Sequence, residues 1–439
     1  MQKKLIWMIG FGVVMMARPG LAQLNQVFNR IFTEILDTRF TLSRSPGQHG
    51  EHFRDASIIA NQKLVPALNS LIASNVSSFP LSSTAAGITF DVSSGMPVSI
   101  MESLGPIFAE NARTLGEGKV NIGFNATYLS LDKFRGLPTR DIQFTFTHVD
   151  FPQTGVLGDN PNESDLVDFD LDLNANASIF ALLATIGVTK NLDVGLAIPF
   201  VRISLRGNTT ATVESFTFAR NDSASHHFGD DTRNPVLFTS TNYDESATGL
   251  GDIGLRLKYR FFRAAEVEMA ALLDLRLPTG DEKDFLGTGK TNARFTWIMS
   301  KKIGDFSPHL NLGYERRAGS LDSDEFEFTA GFDQKIASGV SFAAEFLGEF
   351  DVNRGEAIKL FPGTTEIIDM PRSSQSRNVR QVDLSNVPDR NYDHTLNGSF
   401  GFRIAPSERL LLLGNILVPL NDGGLRSNVV PTLGVSVNF

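Results

Sequence analysis

The sequence predicts an all-β protein, a transmembrane antiparallel β-barrel of about 12 strands that follows a partly helical N-terminal segment. Three observations predict this fold: segments that alternate apolar and polar residues, connections that alternate between short and long, and a last strand that ends on Phe439. Long loops at one end, tight turns at the other and an even strand number are typical of outer-membrane barrels. A soluble β-sandwich gives no reason for the connections to sort in this way.

The alternation is clearest in the segment TGLGDIGLRLKYRFF, residues 248–262. One face is apolar and consists of Ile253, Leu255, Leu257, Tyr259 and Phe261. The opposite face consists of Asp252, Gly254, Arg256, Lys258 and Arg260. A period of two residues is the signature of a β-strand with two different faces.

Segments of this kind recur along the chain and define the barrel, which we assign to residues 116–439. The predicted strands lie near 118–131, 166–187, 191–206, 250–262, 265–279, 291–300, 305–316, 325–336, 339–351, 393–405, 408–419 and 428–439. Long connections are expected at 132–165, 207–249 and 352–392. Hydrocarbon offers no partners to unpaired backbone groups, so the last strand must pair with the first.

The N-terminal residues read as a secretory signal. Lys3 and Lys4 precede an apolar run from Leu5 to Met16, and small residues follow at Gly20 and Ala22. Such a run is too short to span a bilayer as a helix. We therefore expect residues 1–22 to be removed, which changes the formal charge from −9 to −12 by loss of three cations. This acidic balance argues against a nucleic-acid partner.

Residues 23–115 differ from the rest because their apolar residues recur at helical spacing. Helical patterns begin at Leu24, run from Ala56 to Ala73, and recur around SIMESLGPIFAENA. A bore of about twelve strands is narrow enough for short helices to occlude. This segment is expected to plug the barrel or to sit in the periplasm, and the sequence leaves both possibilities open.

Charged residues on the polar faces are candidates for the lining of the lumen. They are Arg256, Lys258, Arg260, Glu266, Glu268, Asp274, Arg276, Arg294 and Glu345. With a hairpin turn at Arg263–Ala264, Arg260 and Lys258 would lie beside Glu266 and Glu268. These groups could contact a solute, or they could form an ion-pair lattice that fills the barrel.

The third strand contains a change of parity. Its apolar residues occupy even positions up to Phe200 and odd positions from Val201 onward, which would turn Arg202, Ser204 and Arg206 inward. A β-bulge at Pro199–Phe200 would produce this change. The resulting kink could open the wall to an apolar solute, or it could only set the curvature.

Several other features resemble reactive sites but have simpler interpretations. His148 and Asp150 could bind a metal, although a solvated hairpin is favoured, and the pair His226–His227 is expected to be solvated. Ser307 and His309 share a strand face without an evident orienting acid, so no enzyme is predicted. GTGKT lacks the spacing of a phosphate-binding loop. The sequence predicts neither metal nor cofactor.

TGLGDIGLRLKYRFF, LDLRLPTGDEKDFLGTGKTNARF and NLGY together resemble the outer-membrane family labelled putative MetA-pathway of phenol degradation. The resemblance extends over roughly residues 191–439 and is carried by Gly249, Gly251, Asp252, Pro278, Thr279, Gly280, Asp281, Gly287 and Gly289. It implies a barrel transporter for aromatic or other apolar compounds, broadly similar to fatty-acid and aromatic-hydrocarbon uptake channels.

Together these features predict a protein of the bacterial outer membrane. Its expected partners are outer-membrane lipid, a small apolar solute and the barrel assembly machinery, which would read the terminal aromatic residue Phe439. The predicted function is passage of small apolar or aromatic compounds through that membrane. The alternative is a structural or surface-interaction barrel without transport activity.

Overall fold

A computed structural model of the chain describes residues 23–38, 40–42, 53–77, 90–91, 98–99, 104–150, 153–159, 161–215, 226–229, 231, 234–318, 323–352, 363–369, 378–407 and 409–439. Within these ranges no helix combines the length and the apolar character needed to cross a membrane. The expected signal segment, residues 1–22, lies outside the described residues.

Twelve antiparallel strands form a closed barrel, which confirms the predicted fold class. They are β1 Val120–Phe134, β2 Leu166–Thr189, β3 Leu192–Glu214, β4 in two parts (Phe238–Leu250 and Ile253–Ala264), β5 Val267–Leu277, β6 Asn292–Lys301, β7 Phe306–Arg316, β8 Glu325–Ala337, β9 Val340–Asp351, β10 Thr395–Ile404, β11 Leu410–Pro419 and β12 Val430–Asn438. The barrel closes where β12 pairs with β1, with Val435 opposite Phe124.

The barrel is apolar outside and polar inside. Outward side chains such as Phe295, Phe346 and Leu433 are 55%, 56% and 67% exposed. Inward side chains such as Asp274 and Glu345 are buried. Because an exposed apolar belt on a sealed sheet is stable only in hydrocarbon, the protein resides in the bacterial outer membrane. Barrels of that membrane have long extracellular loops and short periplasmic turns, so the end with the long connections is called the outer end.

The wall is much taller on one side. The strand Ile142–Thr147, the far halves of β2 and β3, and Phe238–Leu250 continue as a four-stranded sheet, here called the upper wall. Along β3 the polarity of the two faces reverses after Phe200. Val201 and Ile203 are buried on the inner face, whereas Arg202 is exposed on the outer face.

The bulge predicted at Pro199–Phe200 is absent from β3. Pairing of β2 with β3 is regular from Val167 opposite Val213 to Ile186 opposite Val194. The inward direction predicted for Arg202, Ser204 and Arg206 is also wrong, because these residues keep the outward direction of Phe200. The environment changes instead: at Phe200 the strand leaves the bilayer, so its outer face meets water and its inner face meets protein.

The inner face of the upper wall packs against the N-terminal helices, α1 Val27–Thr33, α2 Arg54–Ile59 and α3 Val65–Ser77. A 3-10 turn, Leu24–Gln26, precedes α1, and π-helical turns follow at Glu34–Thr38 and Ala60–Leu64. The ring of Phe28 lies 6.4 Å from that of Tyr243, and the ring of Phe32 lies 5.5 Å from that of Phe169. The helices therefore share one hydrophobic core with the upper wall and cover the outer mouth.

Smaller elements complete the described structure. Phe40–Leu42 pairs with His226–Phe228, Phe90–Asp91 with Val98–Ser99, and Thr364–Asp369 with Asn378–Asp383. Leu137–Pro138 and Leu425–Ser427 pair with β1. Pro161–Ser164 and Glu282–Asp284 are 3-10 turns.

Candidate functional site: the barrel lumen

A β-bulge interrupts β4 at Gly251 and Asp252. Leu250 lies opposite Phe200 and Gly254 lies opposite Ala197, so β4 contains one residue more than β3 between these pairs. Gly251 and Asp252 are consecutive and both buried, and the Gly251 amide donates to the Pro199 carbonyl at 2.8 Å. The irregularity predicted for β3 thus lies on the neighbouring strand, directly beside Pro199.

Asp252 binds the loop that joins β5 to β6, residues 278–291. Its carboxylate accepts hydrogen bonds from the amides of Gly280 and Thr288 at 3.0 and 2.8 Å, and from the Thr288 hydroxyl at 3.1 Å. A Cβ on Gly287 would lie 2.3 Å from the Asp252 carboxylate. Phe285 and Leu286 of the loop are buried. We call this contact the bulge latch; it contains several of the residues that carried the family resemblance.

A cavity of about 590 Å³, part of it open to solvent, lies inside the bulge. One side is apolar and includes Val76, Ile179, Leu183, Ala197, Pro199, Val201 and Leu286. The other side carries Arg256, Asp274, Arg276 and Arg294. The site is therefore amphipathic, with an apolar wall facing a row of guanidinium groups.

Four of the predicted lining residues, Arg256, Lys258, Asp274 and Arg294, belong to a lattice of ion pairs across the middle of the lumen. Arg256 pairs with Asp274 at 3.4 Å and with Glu110 at 2.7 Å. Arg294 pairs with Asp274 at 3.2 Å and with Glu327 at 3.1 Å. Lys258 lies 3.8 Å from the carboxylates of both Glu110 and Asp193. Lumen charges with such partners stay ionised at a smaller desolvation cost than isolated ones.

At the periplasmic end, Glu268 forms ion pairs with three arginines. It pairs with Arg113 and Arg260 at 3.5 Å and with Arg263 at 3.1 Å. Glu266 does not share this position: the strands end at Ala264 and resume at Val267, so Glu266 lies in the turn and is exposed. A bulge between Arg260 and Phe262 moves the turn beyond the predicted Arg263–Ala264.

Residues 104–115, here called the lumen segment, cross the barrel near its periplasmic end. The Glu345 carboxylate accepts hydrogen bonds from the amides of Ile107 and Phe108 at 2.7 and 2.9 Å. On the far side, the Leu115 amide donates to Asp193 at 3.0 Å. The pattern around SIMESLGPIFAENA predicted a helix, but its residues 104–112 contain none, and its residues 100–103 lie outside the described residues. Side chains of the barrel accept hydrogen bonds from the backbone amides of the segment, in place of the carbonyl groups of a helix.

Three histidines in the described part of the chain, His148, His226 and His227, lie in protected positions. His226 pairs with Asp165 at 2.7 Å with both side chains fully buried, so its predicted solvation is wrong, as is that of buried His227. The ring of His148 lies 5.5 Å from that of Phe53, under the helices. The expectation of a solvated position for His148 is therefore also wrong.

Two candidates for a reactive site remain, the histidine His309 and the possible metal ligand Asp150, and both have acidic neighbours. His309 lies 3.5 Å from Asp333 and 3.4 Å from Glu345, two acids that the sequence did not reveal. The carboxylates of Asp150, Asp159 and Glu163 lie within 4.8 Å of one another.

Sequence comparison confirms the family resemblance. Residues 157–365 match the family model described as "Putative MetA-pathway of phenol degradation". The match covers just under half of the chain and contains the bulge, the latch loop and most of the lumen lining. The matched region begins and ends earlier in the chain than the resemblance expected from the sequence, which extended over residues 191–439. No curated protein matches the sequence.

Structure comparison finds proteins described as channels, at low sequence identity. The COG4313 outer membrane channel from Pseudomonas putida F1 is 12% identical with a TM-score of 0.40, covering 75% of this chain and 98% of that chain. The CymD monoaromatic hydrocarbon channel is 11% identical with a TM-score of 0.36, covering 81% and 99%. A deltaS2 mutant of the TodX monoaromatic hydrocarbon channel is 9% identical with a TM-score of 0.34, covering 75% and 92%.

Proposed function

From the match of residues 157–365 to the family named for phenol degradation, we propose that the protein is an outer-membrane channel for small apolar or aromatic compounds. The observation that carries the proposal is the cavity at the bulge. It presents the apolar side chains of Ile179, Val201 and Leu286 inside a barrel whose other inward groups are mostly polar. Ligand sites combine an apolar wall with a few placed polar groups in this way.

The filling of the lumen argues against a general porin. The ion-pair lattice crosses the middle of the lumen, the lumen segment crosses it near the periplasmic end, and the helices cover the outer mouth. A porin for sugars needs a wider, water-filled bore. A small apolar solute could pass when loops and side chains move aside, and it fits this filled interior better than a sugar with its hydration shell.

A pair of substitutions on β3 tests the proposal. Val201 faces the cavity, whereas Val194 faces lipid and is 41% exposed. Proteoliposomes carrying wild-type protein should take up benzyl alcohol faster than empty liposomes and should not swell in sugar solutions. Val201→Phe should slow uptake about tenfold by filling the cavity, and Val194→Phe should leave it unchanged.

The other outcomes distinguish the remaining functions. Swelling in sugar solutions would indicate a general porin. Uptake no faster than in empty liposomes, from protein that keeps its heat-modifiable migration on gels, would indicate the structural or surface-interaction barrel instead. The tall upper wall, which places strands outside the membrane, favours this second candidate.

A further inference from the structure

The three arginines that line the cavity differ in their ion pairs. Arg256 is neutralised by Glu110 and Asp274, and Arg294 by Asp274 and Glu327. Arg276 has no carboxylate within 4.0 Å among the described residues, although it lies on the same strand face as Asp274. Its guanidinium donates to the backbone carbonyl of Ser77 at the end of α3.

The position of Arg276 explains why no acid lies directly opposite it in the sheet, although the carboxylates of Asp274 and Glu315, more than 4.0 Å away, still act on its charge. Arg276 lies opposite Gly254 on β4 and Asn292 on β6. Neither residue can carry a negative charge. A half-buried guanidinium with one carbonyl partner therefore keeps most of its hydrogen-bonding capacity, since the group has five N–H donors.

Apolar side chains share the cavity with Arg276. Val76, on the last turn of α3, and Ile179 and Leu183 of β2 line the same space as Arg276. A molecule held there would have hydrocarbon against these side chains and its polar end against the guanidinium. Arginine binds carboxylates through two parallel hydrogen bonds, a geometry that a neutral hydroxyl cannot match.

We propose that the channel recognises apolar compounds that carry a carboxylate, such as aromatic acids, and that Arg276 binds the carboxylate. This inference rests on the proposed channel function and specifies its substrate class. A pure hydrocarbon would cover Arg276 without giving it a partner, which costs free energy. The neutral compound therefore binds more weakly than the acid of the same size.

Calorimetric titration of the purified full-length protein with benzoate and with benzyl alcohol tests the inference. Wild-type protein should bind benzoate more tightly. Arg276→Gln should weaken benzoate binding about tenfold and change benzyl alcohol binding less than about twofold, since one charged hydrogen-bonding partner is lost. Arg276→Lys should retain part of the preference. Arg202→Gln, which removes an exposed arginine from the outer face of β3, should change neither affinity.

Equal benzoate binding by wild type and Arg276→Gln, or a wild-type preference for benzyl alcohol, would overturn the inference. If benzyl alcohol still enters proteoliposomes, the channel function survives that result. If neither compound enters, both proposals fail. Because Arg276→Gln could misfold, wild-type crystals soaked in 4-iodobenzoate provide an independent measurement. The iodine peak should lie in the cavity with the carboxylate on Arg276, and a peak elsewhere contradicts the proposal.

Discussion

The carboxylate of Asp252 accepts a hydrogen bond from the amide of Thr288 at 2.8 Å and thereby fastens a surface loop to the bulge in the barrel wall. The same carboxylate also binds the Gly280 amide and the Thr288 hydroxyl. The loop in turn places Leu286 in the cavity. One aspartate thus joins the wall irregularity, the loop and the apolar side of the candidate solute site.

Asp252→Ala should therefore destabilise the protein by about 1–3 kcal/mol, because three donors lose an ionised acceptor. Gly287→Ala should act in the same direction, since its added Cβ would lie 2.3 Å from the Asp252 oxygen. Thermal unfolding in detergent measures the change, and Asp305→Ala, at an exposed turn, is the control. An Asp252→Ala protein that unfolds at the wild-type temperature would show that the latch does not stabilise the fold.

The strands could be predicted closely because a two-residue period is a local property of the sequence. The site could not, because it depends on which strands become neighbours. Glu110 meets Arg256 across 146 positions of sequence, and the lumen segment follows barrel side chains rather than its own helical pattern. A reversal in the polarity pattern has two possible causes that the sequence cannot distinguish. Either the side chains change to the opposite face of the sheet, or each face passes into a different environment. For that reason the sequence predicts a bulge in β3 where the structure has only a change of surroundings after Phe200.

The lumen segment is held at one end by Glu345. Its carboxylate accepts the Ile107 and Phe108 amides, and hydrogen bonds to a charged group contribute about 1.5–3 kcal/mol each. Glu345→Ala should release the segment and raise the ion conductance of the protein in planar bilayers several-fold. Glu266→Ala removes a carboxylate from the exposed turn and should leave the conductance unchanged. Equal conductance of wild type and Glu345→Ala would mean that the segment remains in place without this anchor.

The reversal of polarity along β3 predicts opposite accessibility for two adjacent residues. Arg202 is exposed outside the upper wall, whereas Ile203 is buried beneath it. The chain contains no cysteine, so single substitutions can be labelled selectively. In intact cells a membrane-impermeant maleimide should label Arg202→Cys and should not label Ile203→Cys. Asn191→Cys, at a short turn, should react only after the outer membrane is permeabilised. Labelling of Asn191→Cys in intact cells would show that the short turns face the medium and that the barrel has the opposite orientation.

Asp168 gives the upper wall a distinctive pH dependence. Burial raises the pKa of this carboxyl above its ordinary value of 3.8, although the Thr145 hydroxyl donates to it at 2.7 Å and lowers the pKa in part. Because the folded protein then binds the proton more tightly than the unfolded chain, ionised Asp168 lowers stability at neutral pH. This loss of folding stability disappears progressively as the pH falls through the pKa of the folded state toward 3.8, the ordinary value of the carboxyl.

Asp168→Asn should accordingly raise the unfolding temperature at pH 8, because the amide keeps an acceptor for Thr145 without carrying a charge. The gain should shrink as the pH is lowered and vanish well below pH 3.8, where the wild-type carboxyl is protonated in both the folded and the unfolded state. Asp141→Asn, at an exposed position near the start of the adjacent strand, corrects for general loss of negative charge. If Asp168→Asn lowered the unfolding temperature at pH 8 relative to that control, the Thr145 bond would outweigh burial and the sign of the shift would be reversed.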